Sequence, residues 1–286
     1  MHLATYNIRG RSSFGVAVGD GIVDLRPRLA PRLTSVLDVL RAGALDEVRA
    51  VVAGVRPDFP LTEVEMLPPV PGAEKILCIG VNYAKRDTEL EASGGNTEAK
   101  YPSMFFKPPN SFVAHNAPIL RPPESEQLEY EGEICLVIGK TGRRIPKDQA
   151  LDWVAGITLC NEGTIRDWIR HGRFNVTQGK AWDSTGSMGP YVATGVDLTK
   201  PLHITCKING EVTQDDTTES MIFKFPEILS YVSTFMTLKP GDIICTGTPI
   251  KLNQTDGERK WLKAGDTFEM TVPEVGTLKN VVKDEK

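Results

Sequence analysis

The sequence lacks the features of a membrane-spanning, secreted or nucleic-acid-binding protein. No apolar stretch approaches the roughly 20 residues that a membrane span requires, and the N-terminal segment MHLATYNIRGRSS has no apolar core of a signal peptide. Lys and Arg number 33 against 37 Asp and Glu, so the net charge is −4. An acidic balance of this kind argues against a dedicated binder of nucleic acid or anionic membrane. We therefore expect a cytoplasmic globular protein.

Cysteine is scarce, and its spacing excludes the usual structural roles. The chain has five cysteines, an odd number without any Cys-x-x-Cys pair, which argues against a disulfide framework or a zinc ribbon. Each lies in or beside an apolar run, as in ILCIG and EICLVIG. Free thiols of this kind pack as small apolar side chains. We predict buried, unpaired cysteines.

The first 70 residues have the pattern of a small separate unit. The segment FGVAVGDGIVDL alternates around a Gly-Asp-Gly turn and predicts a β-hairpin. The segment SVLDVLRAGALDEVRAVVAG has apolar residues at helical spacing and a closing glycine, which predicts a helix over 35–54. The proline-rich stretch LPPVPGAEK then acts as a connector. We predict a small N-terminal domain over 1–70 and a second domain over 71–286.

From Lys75 onward, short apolar runs recur between Gly, Pro and Asn residues, which predicts mostly β-structure. The eight runs are KILCIGV, APILRP, EICLVIG, VAGITLC, GPYVATG, HITCKING, DIICTGT and DTFEMTV. Helical patterns occur in DQALDWVAG and FPEILSYVSTF. A regular βαβ alternation is missing, so a doubly wound sheet does not fit. We predict a mixed, β-rich α+β fold, either a roll or a distorted barrel.

Two carboxylates stand at the start of an apolar strand in residues 128–139, LEYEGEICLVIG. Glu131 and Glu133 are two apart, so on a strand their side chains point to the same face. Like charges held this close repel unless a cation or water separates them. Glu162, in a polar Asn-Glu-Gly turn after another apolar run, offers a third carboxylate. Three carboxylates suit a hard cation such as Mg²⁺, Mn²⁺ or Ca²⁺, while a solvated strand face remains the alternative.

Basic residues near these carboxylates suggest an anionic substrate. Lys107 lies in FFKPPNSF, Arg166 follows Glu162 by one helical turn, and Lys180 lies in TQGKAWDSTG. A cation together with Lys and Arg would suit a 2-oxo acid. Surface charge is the simpler explanation for any one of them. The run CTGTP over 245–249 is compatible with a strand-ending turn.

A series of ordered motifs resembles the fumarylacetoacetate hydrolase family. The motifs span about residues 70–282 and are ILCIGVNYAKRDTEL, FFKPPNSF, YEGEICLVIGK, VAGITLCNEGTIRDW, QGKAWDSTGSMGP, MIFKFPEILSYVSTFMTLKPGDIICTGTP and EVGTLKNVV. The stretch NEGTIRDWIRHGRFNVTQGK resembles family members that are 2-hydroxyhepta-2,4-diene-1,7-dioate isomerases or related decarboxylases. The resemblance implies a β-roll catalytic domain, a homodimer and a bound Mg²⁺ or Mn²⁺.

The resemblance also implies roles for individual residues. The metal ligands would be Glu131, Glu133 and Glu162, the last at a position where the family usually has aspartate. Lys180 matches the family's lysine at the substrate. The substrate contacts implied in addition are Arg166, Lys107, Tyr83 and Thr248, and Asn82 falls in the motif that opens the catalytic segment.

The chain departs from the family at Arg86. Hydrolytic members carry a histidine there, which forms a dyad with a glutamate that is present here as Glu89. Arginine stays protonated at neutral pH and cannot act as a general base, although it could bind a second substrate carboxylate. Glu89 could still move a proton if burial raises its pKa. His171 could replace the missing histidine, but a surface position is the simpler interpretation.

Loss of the histidine favours chemistry that does not need an activated water. The resemblance implies an enzyme that stabilises the enolate of a 2-oxo acid, with a dicarboxylic substrate from aromatic-ring cleavage and an isomerase or decarboxylase activity. Two alternatives stay open. One is a carbon–carbon hydrolase of acylpyruvates or fumarylacetoacetate-like substrates, and the other is a weakly active member that binds a metabolite.

Overall fold

The computed structural model describes residues 1–84, 100–169, 171–172, 175–252 and 260–286. Within them the chain forms nineteen β-strands in three sheets, five α-helices and several short 3-10 helices. The predicted β-rich α+β fold is confirmed. No helix in the described part of the chain is both long and apolar enough to span a membrane.

The strands are numbered in chain order. In order they are β1 His2–Ile8, β2 Arg11–Val18, β3 Gly21–Asp24, β4 Phe59–Pro60, β5 Glu65–Met66, β6 Ile76–Gly80, β7 Ser103–Phe106, β8 Phe112–Ala114, β9 Ile119–Arg121, β10 Leu128–Glu129, β11 Gly132–Ile138, β12 Val154–Asn161, β13 Thr164–Ile165, β14 Gly186–Ala193, β15 His203–Ile208, β16 Glu211–Thr217, β17 Ile243–Cys245, β18 Thr267–Val272 and β19 Gly276–Asp284.

The helices are short and lie between these strands. The α-helices are α1 Arg26–Leu29, α2 Val36–Arg41, α3 Leu45–Val52, α4 Thr177–Lys180 and α5 Phe225–Phe235. The 3-10 helices are Leu61–Glu63, Pro109–Ser111, Lys147–Trp153, Arg166–Trp168 and Thr218–Ser220.

A twelve-stranded sheet carries the fold, with its main path in the order β4-β3-β2-β1-β14-β12-β11-β17-β6-β7. A five-stranded sheet, β16-β15-β18-β19-β9, lies beside it, and β10 pairs with β13. Strand β1 joins β14 through the register His2↔Ala193. The N-terminal strands therefore extend the same sheet as the strands after residue 70, while the predicted boundary between two domains stays a prediction.

Both faces of the central sheet are buried, which explains the continuous apolar run of β11. On one face, Cys135 and Val137 pack in a cluster that includes residues of α2 and α3. On the other, Ile134 and Leu136 pack in a cluster that includes α5. A strand covered on both sides shows continuous rather than alternating hydrophobicity. Glu131 and Glu133 lie on the same face as Cys135, at the N-terminal end of β11.

The cysteine prediction is confirmed, since all five are buried and free. The Sγ atom of Cys245 lies 3.5 Å from that of Cys135 and 3.7 Å from that of Cys160. Burial raises the pKa values of the Cys135 and Cys160 thiols well above the ordinary value of a cysteine. These thiols therefore remain protonated and pack as small apolar groups.

The predicted helix over 35–54 is wrong in one respect, because the segment forms two helices. Ser35 begins α2, and its hydroxyl accepts a hydrogen bond from the N–H of Asp38 at 3.0 Å. Gly43 then takes φ +61°, which interrupts the helix before α3. The predicted hairpin is confirmed, with the register Val18↔Gly21 across its turn.

The elements predicted after Lys75 are confirmed with one change. Each of the eight apolar runs contains or overlaps a strand, and FPEILSYVSTF is helix α5 from end to end. The segment DQALDWVAG is a 3-10 helix only as far as Trp153, since Val154 already begins β12. The β-branched Val154 and the strand pairing of Ile138 with Val154 favour the extended conformation there.

Candidate active site

Antiparallel pairing of β11 with β12 brings the three predicted carboxylates together. Gly132 lies opposite Asn161 in this register, and the N–H of Glu162 donates to the carbonyl of Glu131 at 2.7 Å. One carboxylate oxygen from each of Glu131, Glu133 and Glu162 lies within 4.8 Å of the others, and all three residues are buried. The alternative of a solvated strand face is therefore excluded.

The turn after β12 is held by Asn161. Its Oδ1 accepts a hydrogen bond from the N–H of Glu131 at 2.8 Å and one from that of Gly163 at 3.3 Å. Gly163 takes φ +48°, and a Cβ atom there would lie 2.2 Å from the carbonyl oxygen of Thr185. Only glycine fits both conditions, so the Asn-Glu-Gly sequence fixes where Glu162 points.

Lys180, at the end of α4, reaches between two of the carboxylates. Its Nζ donates to Glu131 Oε2 at 2.8 Å and also to Glu162 Oε2. The same atom lies 5.0 Å from the ring centroid of Phe105. The Lys180 side chain is only 7% exposed, and its role at the substrate stays a prediction.

Lys107 contacts Glu162 and the turn that follows it. Its Nζ donates to Glu162 Oε1 at 2.9 Å, to the carbonyl of Gly163 at 2.6 Å and also to the carbonyl of Glu162. The side chain is 0% exposed. An ammonium group has three N–H donors, and protein acceptors take all of them. In this structure Lys107 orients Glu162, and its implied contact with a substrate stays a prediction.

The CTGTP run forms the turn that closes the site beside Glu133. The N–H of Gly247 donates to Glu133 Oε2 at 2.9 Å. Asn82 supports this turn, since its Nδ2 donates to the carbonyl of Thr246 at 2.8 Å. Gly247 takes φ +97°, and a Cβ atom there would lie 2.7 Å from Asn82 Cβ. The tight approach makes glycine necessary at this position.

Burial dominates the electrostatics of the cluster. Burial raises the pKa of Glu162 to about 7, against the opposing effect of Lys107 and Lys180. Burial, followed by the charges of Glu162 and Glu131, raises the pKa of Glu133 well above its ordinary value. Burial by itself would lower the pKa of Lys180, but Glu131 and Glu162 outweigh it and raise this pKa above its ordinary value. Lys180 is therefore cationic at neutral pH.

The donor set fits a hard divalent cation. Two oxygens that bind one Mg²⁺, Mn²⁺ or Ca²⁺ at roughly 2.0–2.6 Å are at most about 5 Å apart, and the three carboxylates meet that limit with a spacing within 4.8 Å. Burial and the neighbouring carboxylates both raise the pKa values of Glu133 and Glu162. Glu131, Glu133 and Glu162 would hold the cation.

A second ion-pair group lies beside the carboxylate cluster. Glu129 pairs with Lys251, and its Oε2 lies 3.5 Å from Arg166 Nη1. The Lys251 Nζ also lies 4.6 Å from the ring centroid of Tyr130. The Arg166 side chain is 21% exposed, whereas Glu129 is 3% exposed. Arg166 is therefore a partly accessible cation anchored by a buried carboxylate, and its contact with a substrate stays a prediction.

The remaining predicted residues are either buried, exposed or outside the described part of the chain. Tyr83 is 1% exposed in the core, and among the described residues its O–H has no hydrogen-bond partner. Thr248 is buried in the CTGTP turn. Arg86 and Glu89 lie outside the described residues. His171 is exposed and its ring lies 4.0 Å from that of Trp168, so the interpretation as a surface histidine is confirmed.

Three polar residues of this region were missed by the sequence reasoning: Glu129, Lys251 and Gln214. A signal existed for Glu129, which continues the two-residue spacing of Glu131 and Glu133 in LEYEGE. Lys251 and Gln214 come from distant segments, and no local sequence pattern predicts that they lie near the site.

The sequence matches the family profile described as "Fumarylacetoacetate (FAA) hydrolase C-terminal" over residues 75–283. This match covers well over half of the chain. The chain belongs to the fumarylacetoacetate hydrolase family. Among relatives of this family, the mitochondrial oxaloacetate tautomerase Fahd2a of Rattus norvegicus is 34% identical over 270 residues, which cover 93% of this chain and 85% of the relative. The oxaloacetate tautomerase YisK of Bacillus subtilis is 38% identical over 229 residues, which cover 78% and 75%.

Solved structures of family members have the same fold. The 2-hydroxyhepta-2,4-diene-1,7-dioate isomerase of Mycobacterium marinum has a TM-score of 0.76 at 27% identity, over 100% of this chain and 99% of that one. The maleylpyruvate hydrolase of Sphingobium sp. SYK-6, solved with manganese(II) and pyruvate, has a TM-score of 0.81 at 25% identity over 100% of both chains. The family therefore includes tautomerases, isomerases and hydrolases.

Proposed function

We propose that this family member is a divalent-metal-dependent enzyme that moves a proton on an enolisable 2-oxo dicarboxylic acid, in a keto–enol tautomerisation of the oxaloacetate type. The observation that supports this most directly is the buried cluster of Glu131, Glu133 and Glu162, with Lys180 directed into it. The oxaloacetate tautomerase names of its relatives support the reaction class.

The charge of the cluster favours an anionic ligand once a cation is present. Three carboxylates and the ammonium groups of Lys107 and Lys180 leave one net negative charge. A divalent cation reverses this to one net positive charge in a buried, weakly screened site. Arg166, at the exposed side, adds a cation that can pair with a carboxylate in a bidentate manner.

A bound divalent cation supplies Lewis-acid chemistry, which lowers the energy of an enolate. The chain's own residues do the rest. Lys180 keeps its proton at neutral pH and donates a hydrogen bond where negative charge develops. Arg166 binds a carboxylate of the substrate, and the N–H of Gly247 holds Glu133 in place. Burial of the carboxylates keeps the arrangement rigid before the substrate arrives.

Hydrolysis of a carbon–carbon bond is the second candidate, favoured by the structural similarity to maleylpyruvate hydrolase. That reaction needs a group that activates water. Arg86, at the position where hydrolytic members have histidine, cannot serve as this base. Product analysis separates the candidates, because hydrolysis of an acylpyruvate releases two acids whereas tautomerisation releases none.

The proposal is tested with purified, metal-free protein and oxaloacetate. Adding Mn²⁺ or Mg²⁺ is expected to accelerate the approach to keto–enol equilibrium. The loss of the enol absorbance measures this rate. Glu133→Gln is expected to abolish the metal-dependent rate, because the amide cannot supply the charge that holds the cation. The control is Glu63→Gln, at an exposed surface ion pair with Arg9.

Equal rates with and without metal, or full activity of Glu133→Gln, would rule out the proposed function. The absence of turnover alongside tight binding of oxalate to the metal-loaded protein would favour the alternative of a metabolite-binding member.

Two further parts of the proposal are an assembly that the family resemblance implies and a location that the sequence pattern leads us to expect. The chain forms a homodimer, which light scattering on the eluting protein checks. It acts in the cytoplasm, although its Rattus norvegicus relative carries a mitochondrial name, and localisation of the tagged chain in its own cells checks this.

A further inference from the structure

Gln214, on strand β16, is a fully buried amide that contacts the CTGTP turn. It is 0% exposed, and its Nε2 lies 2.8 Å from Thr248 Oγ1 and 2.5 Å from the carbonyl oxygen of Pro249. Thr248 is itself 3% exposed. The contact joins the five-stranded sheet to the turn that closes the active site.

The orientation of this amide follows from its partners. The carbonyl of Pro249 can only accept a hydrogen bond, so the group that faces it must be the NH₂ end of Gln214. The same NH₂ group contacts Thr248, and it can only donate. The oxygen of Thr248 is therefore the acceptor in this pair, and its own O–H proton must point elsewhere.

The freed O–H of Thr248 belongs to the active-site turn. The preceding residue, Gly247, donates its N–H to Glu133. Within the described part of the chain, Thr248 Oγ1 has no acceptor for its proton and only receives Gln214. A buried hydroxyl of this kind is stabilised when a ligand accepts its proton.

The other end of the amide shows that stability alone does not account for glutamine here. Gln214 Oε1 is buried and has no hydrogen-bond partner among the described residues. Leaving a buried acceptor unpaired lowers the stability of a folded protein. The two donated bonds of Nε2 are thus the contribution that the glutamine makes.

We propose that Gln214 is a positioning residue, which orients the Thr248 hydroxyl as a hydrogen-bond donor to a carboxylate of the substrate. This inference rests on the proposed function, since it needs an anionic substrate beside the carboxylate cluster. Gln214 does not touch the substrate and acts through Thr248. Without it, the hydroxyl rotates freely and no longer presents its proton to the substrate.

A double-mutant cycle tests the role in the full-length, Mn²⁺-loaded protein. The variants are Gln214→Leu, which removes the donors at similar size, Thr248→Val, which removes the hydroxyl, and the two combined. The readouts are the Kd of oxalate by calorimetry, kcat and KM for oxaloacetate, and the thermal midpoint. Gln149→Leu, at an exposed position, serves as the control for the substitution itself.

We expect each single variant to weaken oxalate binding roughly tenfold, which is the size of one hydrogen bond to a charged group. KM should rise by a similar factor, with a smaller change in kcat. The double variant should bind no more weakly than Thr248→Val, because Gln214 has nothing left to orient. Gln214→Glu should also bind oxalate weakly, since the new carboxylate accepts the hydrogen bond of the Thr248 hydroxyl in place of the ligand.

Two outcomes overturn the role. Oxalate affinity of Gln214→Leu equal to wild type, with only a lower thermal midpoint, would make Gln214 a purely structural support for the turn. A penalty for Gln214→Leu that is as large in the Thr248→Val background would show that it does not act through Thr248. If the wild type shows neither oxalate binding nor turnover, the proposed function fails and the role of Gln214 falls with it.

Discussion

At the scale of single residues, two buried lysines pair with the carboxylates of the site. Lys180 contacts Glu131 and Glu162 from the side of α4, and Lys107 holds Glu162 together with the carbonyl of Gly163. Lys107 follows two phenylalanines and Lys180 lies in a polar segment, and neither context by itself indicates that a lysine is buried. Their roles differ because Lys107 has all its donors directed at the protein, whereas Lys180 lies between the carboxylates.

Replacing Lys107 should destabilise the protein as well as the site. In Lys107→Met the carboxylate of Glu162 and two backbone carbonyls lose a buried partner. Removing one member of a buried ion pair lowers the free energy of unfolding by about 3 kcal/mol or more. Urea denaturation checks this. The control is Lys279→Met, at a surface pair with Glu269, for which a change of about 0.5 kcal/mol or less is expected. A small effect at Lys107 would contradict the prediction.

Cation binding should strengthen as the pH rises. In the metal-free protein Glu162 keeps its proton up to about pH 7, whereas the unfolded chain loses it near 4.5. The contribution of Glu162 to stability is therefore present below about 4.5 and is lost as the pH rises through 7. A cation must displace this proton. The rise in thermal midpoint on adding Mn²⁺ should thus be larger at pH 8 than at pH 6.

The apparent Mn²⁺ affinity should fall roughly tenfold for each pH unit below the pKa of this group. Glu162→Gln provides the control, because a variant without the titrating carboxyl should bind weakly at both pH values. A midpoint shift of Mn²⁺ that is equal at pH 6 and pH 8 in the wild type would contradict the assignment of Glu162 as a ligand.

At the scale of elements, two turns position the carboxylates of the site. The CTGTP turn places the N–H of Gly247 on Glu133, and the Asn-Glu-Gly turn places Glu162 beside Glu131. The strands themselves were predictable, since apolar runs bounded by Gly, Pro and Asn need little tertiary information. The break at Gly43 between α2 and α3 was not predicted, because a glycine in a helical pattern is compatible with both a continuous helix and a helix end.

Two glycines with positive φ separate the effect of backbone strain from that of close packing. Gly247 has φ +97° and lies against Asn82, whereas Gly210 has φ +82° with nothing within 4 Å of an added Cβ. Gly210→Ala should cost about 1 kcal/mol of unfolding free energy from backbone conformation. Gly247→Ala should cost more and should also weaken Mn²⁺ binding, because the N–H of residue 247 moves away from Glu133. Equal costs and unchanged Mn²⁺ affinity would refute the argument.

At the scale of the whole molecule, the segment before residue 70 completes the sheet. Strand β1 pairs with β14, and the apolar cluster that contains Cys135 also includes Leu3, Phe14 and Val192. The predicted small N-terminal unit thus shares a sheet and a core with the strands that carry the site.

Deleting residues 1–70 should leave the rest of the chain poorly folded. The deletion uncovers the edge of β14 and apolar residues of the cluster around Cys135. Exposed strand edges of this kind promote association. The truncated chain is expected to bind a hydrophobic dye and to aggregate at concentrations where the full chain is monodisperse. A truncated chain that stays dispersed and binds Mn²⁺ as the full chain does would show that residues 71–286 fold independently.

The amino-acid sequence by itself determined the strand segments, the buried thiols and the identity of the three carboxylates, because these depend on local patterns of two or three residues and on ordered motifs. Only the tertiary structure decided which polar groups meet the carboxylates. Lys107 is 55 residues from Glu162, Lys251 is 122 from Glu129, and Gln214 is 34 from Thr248. Contacts over such distances depend on strand order and register, and no periodicity along the chain encodes them.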